Sequence, residues 1–293
     1  MPRSPQLERV WIVGPGRLGL GLGWCLAERE AAGTISVIGR APVAPEHPLF
    51  ADGRAAYATW EALPETAPSL VLITVPDAAI VDVAHALPQP RLASAPVLHT
   101  SGVLGSEILA PLRAGGCPIG SIHPLVAVTR SQEGARRLLS AWYAVEGEDE
   151  AVRAALAVAE ALKGKTFRVE ASRKATYHAA AVFASNYVVA LLAVAERLME
   201  QAGVAPGDAL EALCDLARGA IDAVAADGIV SALTGPVSRG DASTLERHLA
   251  RLSPEERSLY SGLAMEALAL AQRQGLQPEA ARRVVDILAT ATP

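Results

Sequence analysis

Short runs of β-branched residues alternate with Ala- and Leu-rich stretches over the first 170 positions, which is the pattern of a parallel sheet wrapped by helices. The runs predict strands at Arg9–Val13, Ile35–Ile38, Leu70–Val75, Val97–His99 and Ile119–Ile122. Two more, Trp142–Val145 and Thr166–Val169, flank a helix over Glu150–Leu162 and complete the sheet edge. Each of the first five ends in a turn of Gly, Pro or small polar residues: Gly14-Pro15-Gly16, Gly39-Arg40, Pro76-Asp77, Thr100-Ser101-Gly102 and His123-Pro124. Open α/β sheets bind ligands at the carboxyl ends of their strands, so chemistry should collect at these turns. From Ser172 onward only helical periodicity remains. The expected architecture is α/β: a doubly wound Rossmann-type sheet over residues 1–170, then an all-α domain of roughly four to six helices over residues 171–293. Helix starts are expected at Asp208 after Pro206-Gly207, at a Ser243-x-x-Glu246 capping box, and at Ser253-Pro254 with Glu256 in the third helical position.

Composition narrows the partners. With 51% hydrophobic but only 4% aromatic residues, the core must be built from Ala, Leu and Val. A formal charge of -5 and the lack of any basic run exclude nucleic acid, whose phosphates need a local excess of Lys and Arg. The longest apolar stretches, such as Ala179 to Ala195, are broken by Ser185, Asn186 and Tyr187, so no membrane span is expected. Met1 to Arg9 has no apolar core of a secretory signal, which makes the cytoplasm the default. Cys25, Cys117 and Cys214 have no metal-ligand spacing; no metal is expected, and all three read as buried small apolar residues.

The sharpest chemical signal is Gly14-Pro15-Gly16-Arg17-Leu18-Gly19, a G-x-G-x-x-G pattern after a strand and at the start of a helix. The first Gly permits a tight turn, the second lets backbone approach a pyrophosphate, and the third lets helix and strand pack closely. Beyond the second strand an NAD site would place Asp or Glu on the ribose hydroxyls; this chain has Gly39-Arg40. Arg40 can pair with a 2'-phosphate, so NADP(H) is the expected cofactor, the alternative being that Arg40 is a solvated turn residue. Val75-Pro76-Asp77 and Thr100-Ser101-Gly102 should line the nicotinamide end, with Asp77 also a candidate N-cap of the helix Ala78–Leu87.

Catalytic candidates gather on the boundary helix. At ~100° per residue Lys174, His178 and Ser185 share a stripe about 40° wide, with Asn186 on its flank and small Ala181 leaving room for a substrate. Carbonyl reduction needs a proton donor at the developing alkoxide, a role open to Lys174 or His178, with Ser185 and Asn186 orienting substrate. A solvated Lys and a core His satisfied by backbone are the structural alternatives. His123, at a strand end before Pro124, is placed to face the same cleft, or to be a structural His before a turn. In the Gly/Pro-rich loop Leu233–Asp241, Arg239 could clamp a substrate carboxylate, whereas Asp241 reads as the cap of the next helix.

Taken together, Gly14-Pro-Gly-Arg-Leu-Gly, His99-Thr-Ser-Gly, His123-Pro124, Tyr177-His178-Ala-Ala-Ala-Val-Phe-Ala-Ser-Asn186 and Leu233-Thr-Gly-Pro resemble the Rossmann-like oxidoreductases with a DUF2520-type helical C-terminal domain. These are relatives of the 6-phosphogluconate dehydrogenase-like group. The resemblance covers essentially the whole chain and implies an NADP-type Rossmann domain, a helical dimerisation domain and a cleft between them. Many hydroxyacid dehydrogenases of that wider group carry Lys-x-x-x-Asn where this chain has Lys174-x-x-x-His178, so their mechanism does not transfer directly. The expected function is NADP(H)-dependent hydride transfer to or from a small keto or hydroxy acid, ketopantoate-like among the relatives' substrates. Imine reduction of the pyrroline-carboxylate kind and a non-catalytic dinucleotide-binding regulator are the alternatives. The extensive Ala and Leu stripes of the second domain point to a homodimer.

Overall fold

The computed structural model describes residues 7–129 and 132–290. Eight strands form one sheet: β1 Arg9–Val13, β2 Thr34–Gly39, β3 Ala56–Thr59, β4 Leu70–Ile73, β5 Val97–His99, β6 Ile119–Pro124, β7 Trp142–Gly147 and β8 Lys165–Arg168. Their order is β3-β2-β1-β4-β5-β6-β7-β8, and every neighbouring pair is parallel except β6 with β7. The first six follow the order of a dinucleotide-binding sheet, and the chain reverses direction across the sheet between β1 and β4. All seven expected strands are present. β3, Ala-Tyr-Ala-Thr, was not anticipated; it is a sheet edge, carries no buried residue and so lacks a continuous apolar run.

Helices cover both faces, which is why the central strands read as unbroken apolar runs. In β1, Val10 and Ile12 join a core with Leu22 and Leu26 of the helix Arg17–Glu28, while Trp11 and Val13 join the opposite core with Ile80 and Val83.

The chain divides into two compact units, the first ending at Asn186 and the second starting at Tyr187. The second unit is all helical: the helix Asn186–Gln201 continues into it, followed by Pro206–Ala232, Pro236–Arg239, Ala242–Leu249, Pro254–Arg273 and Pro278–Thr290. Pro206–Ala232 is kinked at Gly228, whose φ of 81° leaves the helical region. Its own core is Leu245, Leu249, Ala264, Leu268, Val284 and Leu288. The helices Asn186–Gln201 and Pro206–Ala232 contribute almost nothing to it; Ala209 is their only buried residue, and Val189, Leu216 and Ile221 are exposed.

Several local expectations need correction. Ala242–Leu249 is capped by Asp241, as one reading of the loop held, and not by a Ser243–Glu246 box, because the Asp241 carboxylate takes both the backbone N–H and the hydroxyl of Thr244. The capping box at Ser253 and Glu256 is present. The helix expected from Asp208 starts two residues earlier, at Pro206, whose missing N–H costs nothing in a first turn. Cys214 is only half-buried, since it lies on the poorly packed long helix, whereas Cys25 and Cys117 are core residues. Burial pushes the Cys25 thiol up to about 11, which keeps it protonated and unreactive. By length and composition alone, Ala171–Gln201 and Pro206–Arg239 are apolar enough to cross a membrane.

Candidate active site

The glycine turn is built as its spacing demands. Gly14 has φ of +112°, a region closed to L side chains, and its N–H donates to the Ile38 carbonyl at 2.9 Å. Thr74 braces the turn, its hydroxyl 2.8 Å from the Gly14 carbonyl. A Cβ on Gly19 would overlap that same carbonyl, so the helix from Arg17 sits directly on the turn. A Cβ on Gly16 would meet no atom within 4 Å. Gly19 is thus required by packing and Gly16 is not, which leaves Gly16 as open approach to the helix N-terminus, where backbone N–H groups and the helix dipole favour an anion.

A cavity of about 490 Å³ opens beside the turn, lined by Gly14, Pro15, Gly16, Val75 and Pro76 and, further along, by Ile38, Arg40, Trp60 and Asp82. Arg40 is exposed at its rim and makes no ion pair among the described residues. Arg17 is exposed and Leu18 packs partly into the core, so Leu18 can offer only its backbone N–H at the phosphates. The donor set fits a dinucleotide pyrophosphate. Asp77 does not cap the following helix: it is exposed, opens a 3-10 turn over Asp77–Ala79, and neither that turn nor the helix Ile80–Ala86 has a side-chain cap. The chain enters the helix through a tighter turn, which removes the extended cap geometry a carboxylate needs.

At the carboxyl ends of β5 and β6 lies a buried polar cluster. Lys174, the first residue of the helix Lys174–Ala184, is 2% exposed and donates to the Ser101 carbonyl at 2.9 Å and to Ser121 Oγ at 2.7 Å. Burial brings its pKa down to about 8, against the opposing pull of Glu146 and Asp77. One turn along, Tyr177 and His178 reach His123: Tyr177 Oη is 2.7 Å from His123 Nδ1, and the two imidazoles stack edge-on at 5.7 Å. Nδ1 of His178 is buried with no hydrogen-bond partner among the described residues. Gly102 is the point on which both rings converge, since a Cβ there would lie 2.5 Å from His178 Nδ1 and 2.9 Å from His123 Nε2. Ser101 itself is turned inward, its hydroxyl accepting from the N–H groups of Val103 and Leu104.

Lys174, His178, His123, Ser101 and Gly102 are therefore together in one unit. Ser185 and Asn186 close the same unit but lie outside the cluster. The helix ends at Ala184, Ser185 takes φ −128° and ψ −73°, and a new helix starts at Asn186, so the 100° register that places Ser185 on the stripe of Lys174 and His178, with Asn186 on its flank, does not carry across. Both residues are exposed. Arg239 is in the second unit, at the last position of Pro236–Arg239. Residues that sequence reasoning missed are His99, Ser121 and Glu146. They form a row of cross-strand neighbours on β5, β6 and β7, His99 beside Ser121 and Ser121 opposite Glu146. The signal available was an isolated polar residue inside each apolar strand; its meaning depends on strand register, which is a tertiary property.

Burial holds the His99 ring at about 3 and the His123 ring at about 4, with the Lys174 charge adding to both. The unfolded chain binds these protons from about pH 6.5 downward and the folded chain does not, so stability is complete above pH 6.5 and is lost as pH falls toward 4. Denaturant unfolding at pH 5 is expected to give about 3 kcal/mol less stability than at pH 7 through these two rings. His123→Gln should remove roughly half of that difference; an unchanged pH slope would contradict the assignment.

A sheet of this order with a glycine-cradled helix and a helical second unit defines a Rossmann-type chain of the kind found in dinucleotide-dependent oxidoreductases. Residues 3–124 match the Rossmann-like domain, and residues 141–290 match the domain of unknown function DUF2520. The chain belongs to the DUF2520 family, as its residues suggested. The two matches divide the cluster, Ser101 and His123 falling in the first and Lys174 and His178 in the second. Protein TM1727 from Thermotoga maritima is 25% identical over 96% of this chain and 98% of its own, with a TM-score of 0.64. BF3122 from Bacteroides fragilis, described as a proposed NADP oxidoreductase, is 20% identical over 91% of this chain and 100% of its own, with a TM-score of 0.73. Pyrroline carboxylate reductase from Plasmodium falciparum, solved with NADP bound, is 11% identical over 98% and 97%, with a TM-score of 0.59. No curated protein matches the chain.

Proposed function

We propose that the chain is an NADP(H)-dependent oxidoreductase that transfers a hydride to or from a small keto or hydroxy acid, of which a ketopantoate-like acid is the nearest candidate. The observation that carries this reading is the glycine turn: Gly14 and Gly19 are required by backbone and packing, yet Gly16 faces open space beside a 490 Å³ cavity with Arg40 at its far end. Gly14, Gly16, Arg17, Leu18 and Gly19 would hold the pyrophosphate, Arg40 the 2'-phosphate, and Val75, Pro76, Asp77, Ser101 and Gly102 the nicotinamide end. Once bound, the dinucleotide supplies or accepts the hydride. The chain supplies the proton: two of the Lys174 ammonium hydrogens are engaged by Ser101 and Ser121, which leaves a third for the substrate oxygen, and a pKa near 8 lets it move in either direction. His178 Nδ1, buried and without a partner among the described residues, is the group we assign to orienting the substrate, together with His123. Asn186, Ser185 and Arg239 stay candidates for substrate contact.

A second enzyme reading, reduction of a cyclic imine that arrives already protonated, is favoured by the neutral state of His99 and His123 beside the site. NADPH absorbance followed across a panel of keto acids and cyclic imines separates the two; dinucleotide binding without turnover of any would instead indicate a regulator. In this proposal residues 1–170 hold the cofactor and residues 171–293 serve substrate and dimerisation, in the cytoplasm. A twin chain covers the exposed apolar side chains of Asn186–Gln201 and Pro206–Ala232, which explains their membrane-like composition. Arg40→Ser is expected to weaken NADPH binding about ten- to a hundredfold while leaving NADH binding unchanged. Equal losses for both nucleotides would show that Arg40 reads no phosphate.

A further inference from the structure

Of the 26 basic residues in the chain only three are lysines, Lys163, Lys165 and Lys174. The first two are exposed; the third is among the most buried side chains in the protein. Arginine is this chain's default cation, and a guanidinium keeps its proton at every physiological pH, whereas an amine can release one. The position that is buried and linked to other polar groups is the one that keeps the amine.

Those links lead outward. Lys174 Nζ donates to Ser121 Oγ at 2.7 Å, and Ser121 Oγ donates to Glu146 Oε2 at 3.1 Å. Ser121 has no exposed surface, so water does not reach the middle of this chain. Glu146 is different: it is only half-buried and lines an open cavity of about 680 Å³ with Ser106, Glu107, Arg113 and Arg168. Its carboxylate is clamped by Ser106, whose N–H donates to Oε2 at 2.9 Å and whose hydroxyl donates to Oε1 at 2.6 Å. The clamp and the β6–β7 register hold Glu146 on Ser121, one hydroxyl away from the lysine.

We propose that Ser121 and Glu146 are a proton path joining Lys174 to solvent in that cavity. The proposal rests on Lys174 being the group that exchanges a proton with the substrate oxygen. In the oxidation direction the substrate O–H bond breaks and its proton joins neutral Nζ. An Nζ proton then passes to Ser121 Oγ as the Ser121 proton passes to Glu146 Oε2, and the carboxylic acid releases it to water. In reduction each transfer runs backward, so every proton delivered to substrate is replaced from the cavity. Lys174 also faces Asp77 beyond β4, His99 on β5 and His123 on β6; both rings are held neutral, so neither competes as a proton store.

With three lysines, protein labelled at lysine gives three resolvable side-chain NMR signals, and Lys174→Arg identifies the buried one. The readouts are its titration midpoint and the exchange rate of its Nζ protons with water, in wild type, Ser121→Ala, Glu146→Gln and Glu107→Gln. Ser121→Ala and Glu146→Gln are each expected to slow exchange about tenfold or more. Glu146→Gln should in addition lower the midpoint by about one pH unit, because an opposite charge that favours the ammonium is lost. Glu107→Gln, which alters the same cavity without touching Ser121, should change neither. Exchange at the wild-type rate in either path variant, or faster, overturns the proposal. NADPH titration of the same samples tests the dinucleotide reading separately: a wild type that binds no NADPH defeats that reading whatever the exchange rates show.

Discussion

Lys174→Met is expected to leave NADPH affinity within about threefold of wild type while lowering turnover by about two to four orders of magnitude. Methionine fills most of the lysine volume without a charge or a proton, so the pocket persists and the proton transfer does not. The measurement is NADPH oxidation with whichever keto acid or imine of the panel is turned over. Lys174→Arg sharpens it. If Lys174 served only to tie the Ser101 carbonyl to Ser121, the guanidinium would replace its charge and donors and restore activity. Because a guanidinium cannot exchange its proton, no rescue is expected. Turnover of Lys174→Met near the wild-type rate would remove Lys174 from the chemistry.

The second large effect is Gly16→Val. A Cβ at Gly16 meets no atom within 4 Å, so the variant should fold with a melting temperature close to that of wild type, yet lose NADPH affinity by about a hundredfold or more, because its branched carbons occupy the approach to the backbone donors. Gly19→Val provides the contrast. Its Cβ would overlap the Gly14 carbonyl and Thr74 Oγ1, so there stability itself should fall, by about 1–3 kcal/mol or more. Thermal melts and a fluorescence titration on the same two variants distinguish a ligand-facing glycine from a packing glycine. Full NADPH affinity in Gly16→Val would mean that the turn is structural only.

The fold was legible where a local pattern was tied to a local cause. Apolar runs marked seven of eight strands because both faces of the sheet are covered, and Gly14 to Gly19 marked the turn because Gly14 takes a positive φ and Gly19 admits no side chain against the turn. The edge strand Ala56–Thr59 was silent because nothing packs tightly on it. The candidate site was legible in part. Lys174 and His178 fall one turn apart, and helical periodicity places them together; Ser185 extends that stripe only in a continuous helix, and this one ends at Ala184. Asp77 failed as a cap because the chain turns through a 3-10 segment that no residue there announces. Ser121 and Glu146 lie 25 positions apart, and only the antiparallel pairing of β6 with β7 brings them face to face. A crossover to antiparallel pairing has no local signature.

The most direct test of the whole account is titration of the purified chain with NADPH and with NADH at fixed ionic strength, followed by nicotinamide fluorescence. The glycine turn and Arg40 predict saturable binding of both nucleotides, with NADPH held about tenfold or more tightly. Binding of neither nucleotide would contradict the account at its base.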